Sequence, residues 1–243
     1  MIEQELLLQT QVGTMNTFVT RPDGPGPYPL VIFLMDAPGK REELHDMARR
    51  IATVGYYVML PNLYYRTTAE FVMGPDKREE MFAHMNSLTN ALVCDDIEVL
   101  FDHAAKDDAA SDGVAGCIGY CMSGPFAFAA AAKFSAKIAA SASLHGVRLF
   151  SDADDSPHLD AHKIKGEIYF GCAAVDEWAP PEMVKGLDEY LATTGINYLV
   201  ETYADTQHGF VFPQREGIFH KASAEQHWAR LFSLFRRNDV VPS

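Results

Sequence analysis

The chain has 243 residues, 48% of them hydrophobic and 22% charged, which is long and apolar enough for one domain with a buried core. We therefore treat residues 1–243 as a single domain. The formal net charge of −13 disfavours partners that present phosphate, so we expect neither nucleic acid nor an anionic membrane as a ligand. The N-terminus has no basic start and no long apolar run, which predicts neither a signal peptide nor an anchor. Four cysteines without a Cys-x-x-Cys pair are typical of reduced thiols in the cytoplasm.

Short apolar segments alternate with longer amphipathic segments along most of the chain. The segments "ELLLQT" and "TMNTFVTR" flank Gly13 and predict a β-hairpin. Further strands are predicted at Leu30–Asp36, 56–61, 113–119, 137–146, 166–173 and 197–203. Helices are predicted at 41–55, Lys77–Lys106, Pro125–Lys133, Pro180–Thr194 and Ala222–Arg237, with irregular structure at Tyr64–Asp76 and Leu149–Lys165.

This alternation predicts an α/β fold with three layers, in which a mostly parallel central sheet carries helices on both faces. The strand at Leu30–Asp36, "LVIFLMD", is continuously apolar up to its acid, as in a strand that is covered on both sides. Sheets of this kind place their chemistry beyond the carboxyl ends of the strands. The residues to inspect are therefore those that follow strands: Asp36, Asn62 to Arg66, Cys121, His145, Asp176 and His208.

The stretch "GYCMSG" (119–124) places Cys121 at a turn between a predicted strand and a predicted helix. Small residues on each side of the tip let a strand turn sharply, and they leave the tip residue strained and exposed. Gly119 lies two positions before Cys121, and Ser123 followed by Gly124 comes after it. The start of the next helix favours a thiolate, and the Met122 amide would face a developing oxyanion.

Cys121 has one competitor in its own segment and one structural alternative. As a nucleophile, Ser123 would need glycines at the positions of Cys121 and Pro125, so we reject it. A free cysteine is often an inert core thiol, and that interpretation suits the other three cysteines: Cys94, Cys117 and Cys172. It suits Cys121 poorly, because the glycine setting places this residue at the end of a strand.

A cysteine nucleophile needs a base, and the base needs an orienting group. In the order nucleophile, acid and histidine, Asp176 follows one strand and His208 follows the next. Glu177 is the nearest rival to Asp176. The remaining acids are weaker candidates, because they lie in a polar loop or too close to His208: Asp154, Asp155, Asp160 and Asp205.

The other histidines have simpler explanations. Five fall in helical patterns and are expected at the surface: His45, His84, His103, His220 and His227. His158 and His162 have an i, i+4 spacing that suits zinc in a helix, but Ser156-Pro157 favours a loop and no third ligand is evident. We therefore predict no metal and no cofactor, and the role of His145 stays open.

With these residues in place, the sequence resembles the dienelactone hydrolase family, whose members resemble carboxymethylenebutenolidase and share the α/β-hydrolase fold. The resemblance covers nearly the whole chain and rests on "PNLYYR" (61–66), "GYCMSG" (119–124), "SPHL" (156–159), "AVDEWAP" (174–180) and "QHGFVFP" (207–213). It implies a triad of Cys121, His208 and Asp176, and an oxyanion hole formed by the amides of Met122 and Ala37. It also implies that Asp36 stands where the family has a glutamate that interacts with the resting thiol. A solvated acid at the strand end is the alternative for Asp36.

The resemblance also bears on the substrate. Family members that cleave dienelactones hold the substrate carboxylate with arginines, and Arg78 matches one of these positions. The other falls at Phe212, with Arg215 displaced nearby. An aromatic pocket of Tyr64, Trp178, Phe210 and Phe212 would favour neutral esters over small dianions, although all four could equally be core side chains.

The sequence therefore predicts a hydrolase of activated esters or lactones that acts through a thioester, with a small-molecule substrate and a monomeric or homodimeric state. A promiscuous hydrolase of aryl esters or phosphotriesters is the alternative within this class. A thiol redox protein and a binding protein without catalysis are the alternatives from other classes.

Overall fold

The computed structural model describes residues 1–242 of the chain. Its strands are β1 (Ile2–Thr10), β2 (Gly13–Arg21), β3 (Leu30–Leu34), β4 (Tyr57–Pro61), β5 (Ala115–Tyr120), β6 (Ile138–Leu144), β7 (Glu167–Val175) and β8 (Asn197–Gln207). Its helices are α1 (Glu42–Thr53), α2 (Arg78–Asn86), α3 (Asn90–Ala104), α4 (Gly124–Lys133), α5 (Pro181–Leu191) and α6 (Lys221–Arg237).

All the strands belong to one sheet in the order β1-β2-β4-β3-β5-β6-β7-β8. The hairpin of β1 and β2 is antiparallel, β2 pairs antiparallel with β4, and every later pairing is parallel. The predicted hairpin and the mostly parallel sheet are thus confirmed. The carboxyl ends of β3, β5, β7 and β8 consequently meet at one edge of the sheet.

Helices cover both faces of the central strand β5, and two of its glycines show how closely they pack. A Cβ at Gly116 would lie 2.7 Å from the ring of Phe235 on α6. A Cβ at Gly119 would meet Ala127 of α4 at 3.0 Å. Residues three apart on a strand point to opposite faces, so α6 and α4 lie on opposite sides of the sheet. The predicted three layers follow from this packing.

Two predicted segments differ from the observed structure. The single helical stretch at Lys77–Lys106 is two helices, because the Thr89 side chain accepts a hydrogen bond from Leu92 N and starts α3 anew. The loop predicted at Leu149–Lys165 contains a 3₁₀ helix at Pro157–Lys163. Among residues 1–242, no helix combines the length and apolar character that crossing a bilayer requires.

Candidate active site

Cys121 lies at a sharp bend between β5 and α4. The strand ends at Tyr120, a 3₁₀ turn covers Cys121–Ser123, and α4 begins at Gly124. Cys121 has a φ angle of 54°, in the left-handed region that few residues other than glycine adopt. This strained turn agrees with the bend expected from the sequence.

The small residues around Cys121 are a steric requirement of this bend. A Cβ at Gly119 would lie 2.0 Å from the carbonyl oxygen of Ser123. A Cβ at Gly124 would lie 2.4 Å from Ser143 Oγ and 2.5 Å from the Cα of Gly146. Ser123 itself is fully buried and its hydroxyl donates to the carbonyl of Met35, which agrees with its rejection as a nucleophile.

The bend brings the Cys121 thiol into contact with a histidine that follows β8, and this histidine in turn contacts an aspartate that follows β7. Cys121 Sγ lies 3.1 Å from His208 Nε2, and His208 Nδ1 lies 2.8 Å from Asp176 Oδ2. The second oxygen of Asp176 accepts the backbone N–H groups of Trp178 and Ala179 at 2.9 and 3.0 Å. The rival acid Glu177 is exposed. Asp176 is therefore the carboxylate that holds this histidine.

The charges around His208 set its protonation. Burial alone would lower the pKa of His208, but its hydrogen bonds to Asp176 and Cys121 outweigh burial and raise that pKa to about 9. Because Nδ1 faces a carboxylate, it donates to Asp176. Nε2 is then left to exchange a proton with the thiol.

The turn after β3 carries the backbone amide that the resemblance assigns to the oxyanion hole. Gly39 N donates to Asp36 O at 2.9 Å and closes this turn around Ala37. The Ala37 N–H has no hydrogen-bond partner among residues 1–242, and Ala37 borders the same cavity as Cys121. The Tyr64 hydroxyl donates to Ala37 O at 2.8 Å, which holds the Ala37–Pro38 peptide on the other side of the same Cα.

Asp36 has a different environment from either sequence-based interpretation. Its side chain is fully buried rather than solvated, and it pairs with the guanidinium groups of Arg41 and Arg215. No hydrogen bond joins it to Cys121 within the described part of the chain. The resemblance assigned this carboxylate to the Cys121 thiol. In the structure it is paired instead with two guanidinium groups, one from the residue just before α1 and one from the loop after His208.

A cavity of about 350 Å³ opens above Cys121 and His208. Arg78 and Trp178 lie in its wall, in the positions that the sequence suggested. Tyr64, Phe210 and Phe212 do not border it, and all three are buried in the core. For these three aromatic residues, core packing was the correct alternative.

The sequence reasoning missed most of the cavity wall: Pro38, Met73, Met81, Phe82, Met85, Val147 and Arg148. A signal for three of these existed. Arg78, Met81, Phe82 and Met85 have the i, i+3, i+4, i+7 spacing of one helix face, and all four border the cavity. The others lie outside helices and strands, where no periodicity marks a side chain that faces a cavity.

His145 lies beside the triad without belonging to it. Its ring centroid is 4.8 Å from that of His208, yet neither of its ring nitrogens has a hydrogen-bond partner among residues 1–242. Complete burial, reinforced by the charge of His208, keeps its pKa well below the ordinary value. His145 is therefore a neutral side chain against the back of the His208 imidazole.

No group of three or more His, Cys, Asp and Glu side chains within residues 1–242 is arranged to hold a metal ion. His158, one of the two histidines considered for zinc, lies 2.7 Å from Ser156 Oγ through Nδ1. Its ring packs against Phe150 and Tyr190. These contacts account for His158 as a structural residue.

Comparison with known proteins agrees with the fold. Residues 15–238 match the model of the dienelactone hydrolase family. The chain belongs to the dienelactone hydrolase family. It is 24% identical over 222 residues to a Synechocystis protein named "Putative carboxymethylenebutenolidase", with 90% of each chain covered. An Escherichia coli K12 protein of the same name is 26% identical over 241 residues, which cover 95% of this chain and 85% of that protein.

Solved structures with this fold are also similar to the family member described here. A "Putative Dienelactone Hydrolase" from Klebsiella pneumoniae superposes with a TM-score of 0.86 at 23% identity, covering 97% of this chain and 98% of that one. A dienelactone hydrolase-like promiscuous phosphotriesterase from metagenomic libraries gives a TM-score of 0.82 at 16% identity, with 98% of each chain covered. At these identities the likeness shows the fold, which is the predicted α/β-hydrolase fold.

Proposed function

We propose that this dienelactone hydrolase family member hydrolyses activated carboxylic esters or lactones, with Cys121 as the nucleophile. One observation carries the proposal: the Cys121 thiol, the His208 imidazole and the Asp176 carboxylate form a chain with contacts of 3.1 and 2.8 Å. A nucleophile, base and orienting acid in this order activate a side chain for acyl transfer.

Acylation begins with the proton already on His208 Nε2, because the raised pKa of His208 favours the imidazolium, and with Cys121 as the thiolate that the preceding cycle releases. The sulfur then forms a bond to the carbonyl carbon, and the carbonyl electron pair moves onto oxygen. The backbone amides of Ala37 and Met122 donate to this oxyanion, and one such donor contributes about 3 kcal/mol to transition-state stabilisation. When the carbonyl re-forms, the C–O bond breaks and His208 returns its proton to the departing oxygen.

Deacylation uses the same groups in reverse. The now neutral His208 removes a proton from water, and the hydroxide attacks the thioester carbon. Collapse of the second tetrahedral adduct releases the acid and the Cys121 thiolate, while the proton remains on His208. Asp176 holds Nδ1 throughout and stabilises the imidazolium in both steps.

The walls of the cavity and the chemistry of sulfur support a particular substrate class. A thiolate leaves a tetrahedral adduct readily, so esters with good leaving groups, such as aryl and enol esters, compete best against reversal. The cavity wall is mostly apolar, with Met73, Met81, Phe82, Met85 and Trp178 among its members. Arg215, the arginine nearest to the missing family position, is paired with Asp36. We therefore propose neutral aryl esters or enol lactones rather than small dianions.

Activated phosphotriesters are a second candidate substrate class. Their phosphoryl oxygen can occupy the same oxyanion hole, and their apolar substituents suit the same cavity. The structural neighbour described as a dienelactone hydrolase-like promiscuous phosphotriesterase favours testing this chemistry. Hydrolysis of paraoxon by the wild-type protein, and its loss in Cys121→Ala, would support a shared nucleophile.

The proposal is tested by turnover of 4-nitrophenyl acetate in single variants. We expect Cys121→Ala to lose all turnover above background, because no other thiol contacts His208. His208→Ala should lose at least about a hundredfold, the usual contribution of a general base. Cys94→Ala, at a buried thiol on α3, is the matched control and should retain turnover if it remains folded.

Mass spectrometry of a rapidly quenched reaction supplies the decisive evidence. An acyl adduct on the tryptic peptide that contains Cys121 would support the thioester. Unchanged turnover in Cys121→Ala, or an adduct on another residue, would contradict the proposal. A redox role is the weaker alternative because Cys94, Cys117 and Cys172 are all buried, and four free thiols suit a reducing cytoplasm.

A further inference from the structure

A second cavity lies beside the catalytic one. Its volume is about 310 Å³, against about 350 Å³ for the cavity above Cys121. Met85, Val147 and Arg148 border both, so these three side chains form the wall between them. The second cavity also reaches Met122, the residue that follows the nucleophile.

Two members of this wall are firmly held. Val147 is buried, and its N–H donates to the carbonyl of Cys121 at 3.2 Å, so this residue is tied to the catalytic bend. Met85 belongs to α2, on the helix face that borders the catalytic cavity. Moving either residue would disturb an element that shapes the site.

Arg148 is held much more weakly. Its only side-chain hydrogen bond among residues 1–242 is to Asn86 Oδ1 at 3.3 Å, and no carboxylate in that part of the chain pairs with it. The residue is exposed, and its φ angle is 53°, a conformation that costs an L-residue energy but costs glycine little. Arg148 therefore has a strained backbone conformation, and neither burial nor an ion pair of its side chain compensates for that strain.

We propose that Arg148 sets the upper size limit of the esters that this site accepts, because its side chain closes the catalytic cavity against the second one. The inference rests on the proposed function of Cys121. Compact acyl groups fit above the thiol, whereas a longer apolar acyl chain must pass the Arg148 side chain. The second cavity has a mixed lining, with polar side chains such as Thr89 and Asn90, and such a chain would lie against its apolar part, Met85, Met122, Phe126 and Val147.

The test is the ratio of kcat/KM for 4-nitrophenyl octanoate to that for the acetate. We expect Arg148→Gly to raise this ratio at least about tenfold, since even one methylene in an apolar pocket changes discrimination by that amount. Arg148→Met keeps a side chain of similar length without its charge, and its ratio should stay near that of the wild type. Asp239→Gly is the matched control, because it makes the same glycine substitution at an exposed position with a φ of 60° after α6.

A second measurement makes the outcome independent of hydrolysis. Alkylation of Cys121 by iodoacetamide and by N-octyl iodoacetamide, followed by mass spectrometry, reports access to the thiol directly. Arg148→Gly should selectively accelerate the octyl reagent. If the wild type hydrolyses neither ester, the proposed function fails, and the alkylation ratio still decides the role of Arg148.

Two outcomes would overturn the inference. One is an unchanged octanoate-to-acetate ratio and alkylation ratio in a folded Arg148→Gly protein. The other is an equal rise in Arg148→Met, which would mean that the size of the side chain is not the limit. Thermal unfolding should show that Arg148→Gly is folded, because glycine relieves the left-handed backbone at this position.

Discussion

Asp36 and Asp176 are two buried carboxylates that follow parallel strands at the same edge of one sheet, and their partners differ. Asp36, after β3, pairs with two guanidinium groups, from Arg41 and Arg215. Asp176, after β7, contacts one imidazole and two backbone N–H groups. Arginine stays charged at every accessible pH, whereas histidine gains and loses a proton near neutrality. The comparison indicates that the partner, rather than the position on the strand, distinguishes a carboxylate suited to a structural ion pair from one suited to orient a base.

The largest expected effect is on stability at Asp36. Asp36→Asn leaves the Arg41 and Arg215 guanidinium groups without their shared carboxylate, and removing one member of a buried pair costs about 3–5 kcal/mol. We expect urea unfolding to show a loss of unfolding free energy near the lower end of this range, because Arg41 also pairs with Glu43. An unchanged midpoint with an unchanged slope would contradict the structural role of Asp36.

Asp176→Asn should lower activity strongly and stability only a little. The amide cannot hold the His208 tautomer and does not stabilise the imidazolium, so kcat/KM for an aryl ester should fall at least about a hundredfold. Its loss of unfolding free energy should be smaller than that of Asp36→Asn, because the isosteric side chain still accepts from Trp178 and Ala179. Equal kinetic losses in the two variants would remove the distinction between the two carboxylates.

The third prediction concerns pH. The pKa of His208 is raised to about 9, so the imidazolium is present at neutral pH and is lost as the pH rises through that value. For an alkyl ester, whose leaving oxygen needs a proton, kcat/KM should decline about tenfold per pH unit above it. A nitrophenyl ester leaves as a stable anion and should show a smaller decline. Identical alkaline profiles for both esters would argue against proton donation by His208.

The smallest expected effect is at Tyr64, on the β3 side of the site. Tyr64→Phe removes the hydrogen bond to Ala37 O, and one such bond contributes about 0.5–1.5 kcal/mol, so kcat/KM should fall by about threefold to tenfold. Tyr65→Phe is the matched control, since its hydroxyl contacts Asp96 instead. If Tyr65→Phe reduces kcat/KM as much as Tyr64→Phe does, the loss does not come from the turn after β3 that carries Ala37.

The parts of this structure that sequence reasoning found are those that depend on local pattern. Short apolar segments located β3, β5, β7 and β8, and the residues just after these strands include Cys121, Asp176 and His208. Parallel strands align their carboxyl ends, so three positions far apart in the chain could be expected together. Gly119 likewise marked the bend, because a side chain at this position would collide with the backbone of Ser123, only four residues further along the chain.

The parts that sequence reasoning missed depend on contacts between distant segments. Arg215 lies 179 positions from Asp36, and no local pattern links the two. Phe210 and Phe212 follow β8 in an irregular segment, where residue type alone does not separate a core ring from a cavity wall. His145 could be placed after β6, but its lack of hydrogen-bond partners is a property of its surroundings.

The contrast among the four thiols has a practical consequence. Burial raises the pKa of Cys94 to about 11 and that of Cys172 to about 12, and it raises the pKa of Cys117 as well. Cys121 alone among them is partly open to solvent. A maleimide fluorophore should therefore attach at one known point without prior mutagenesis, and its stoichiometry would count the competent molecules in any preparation.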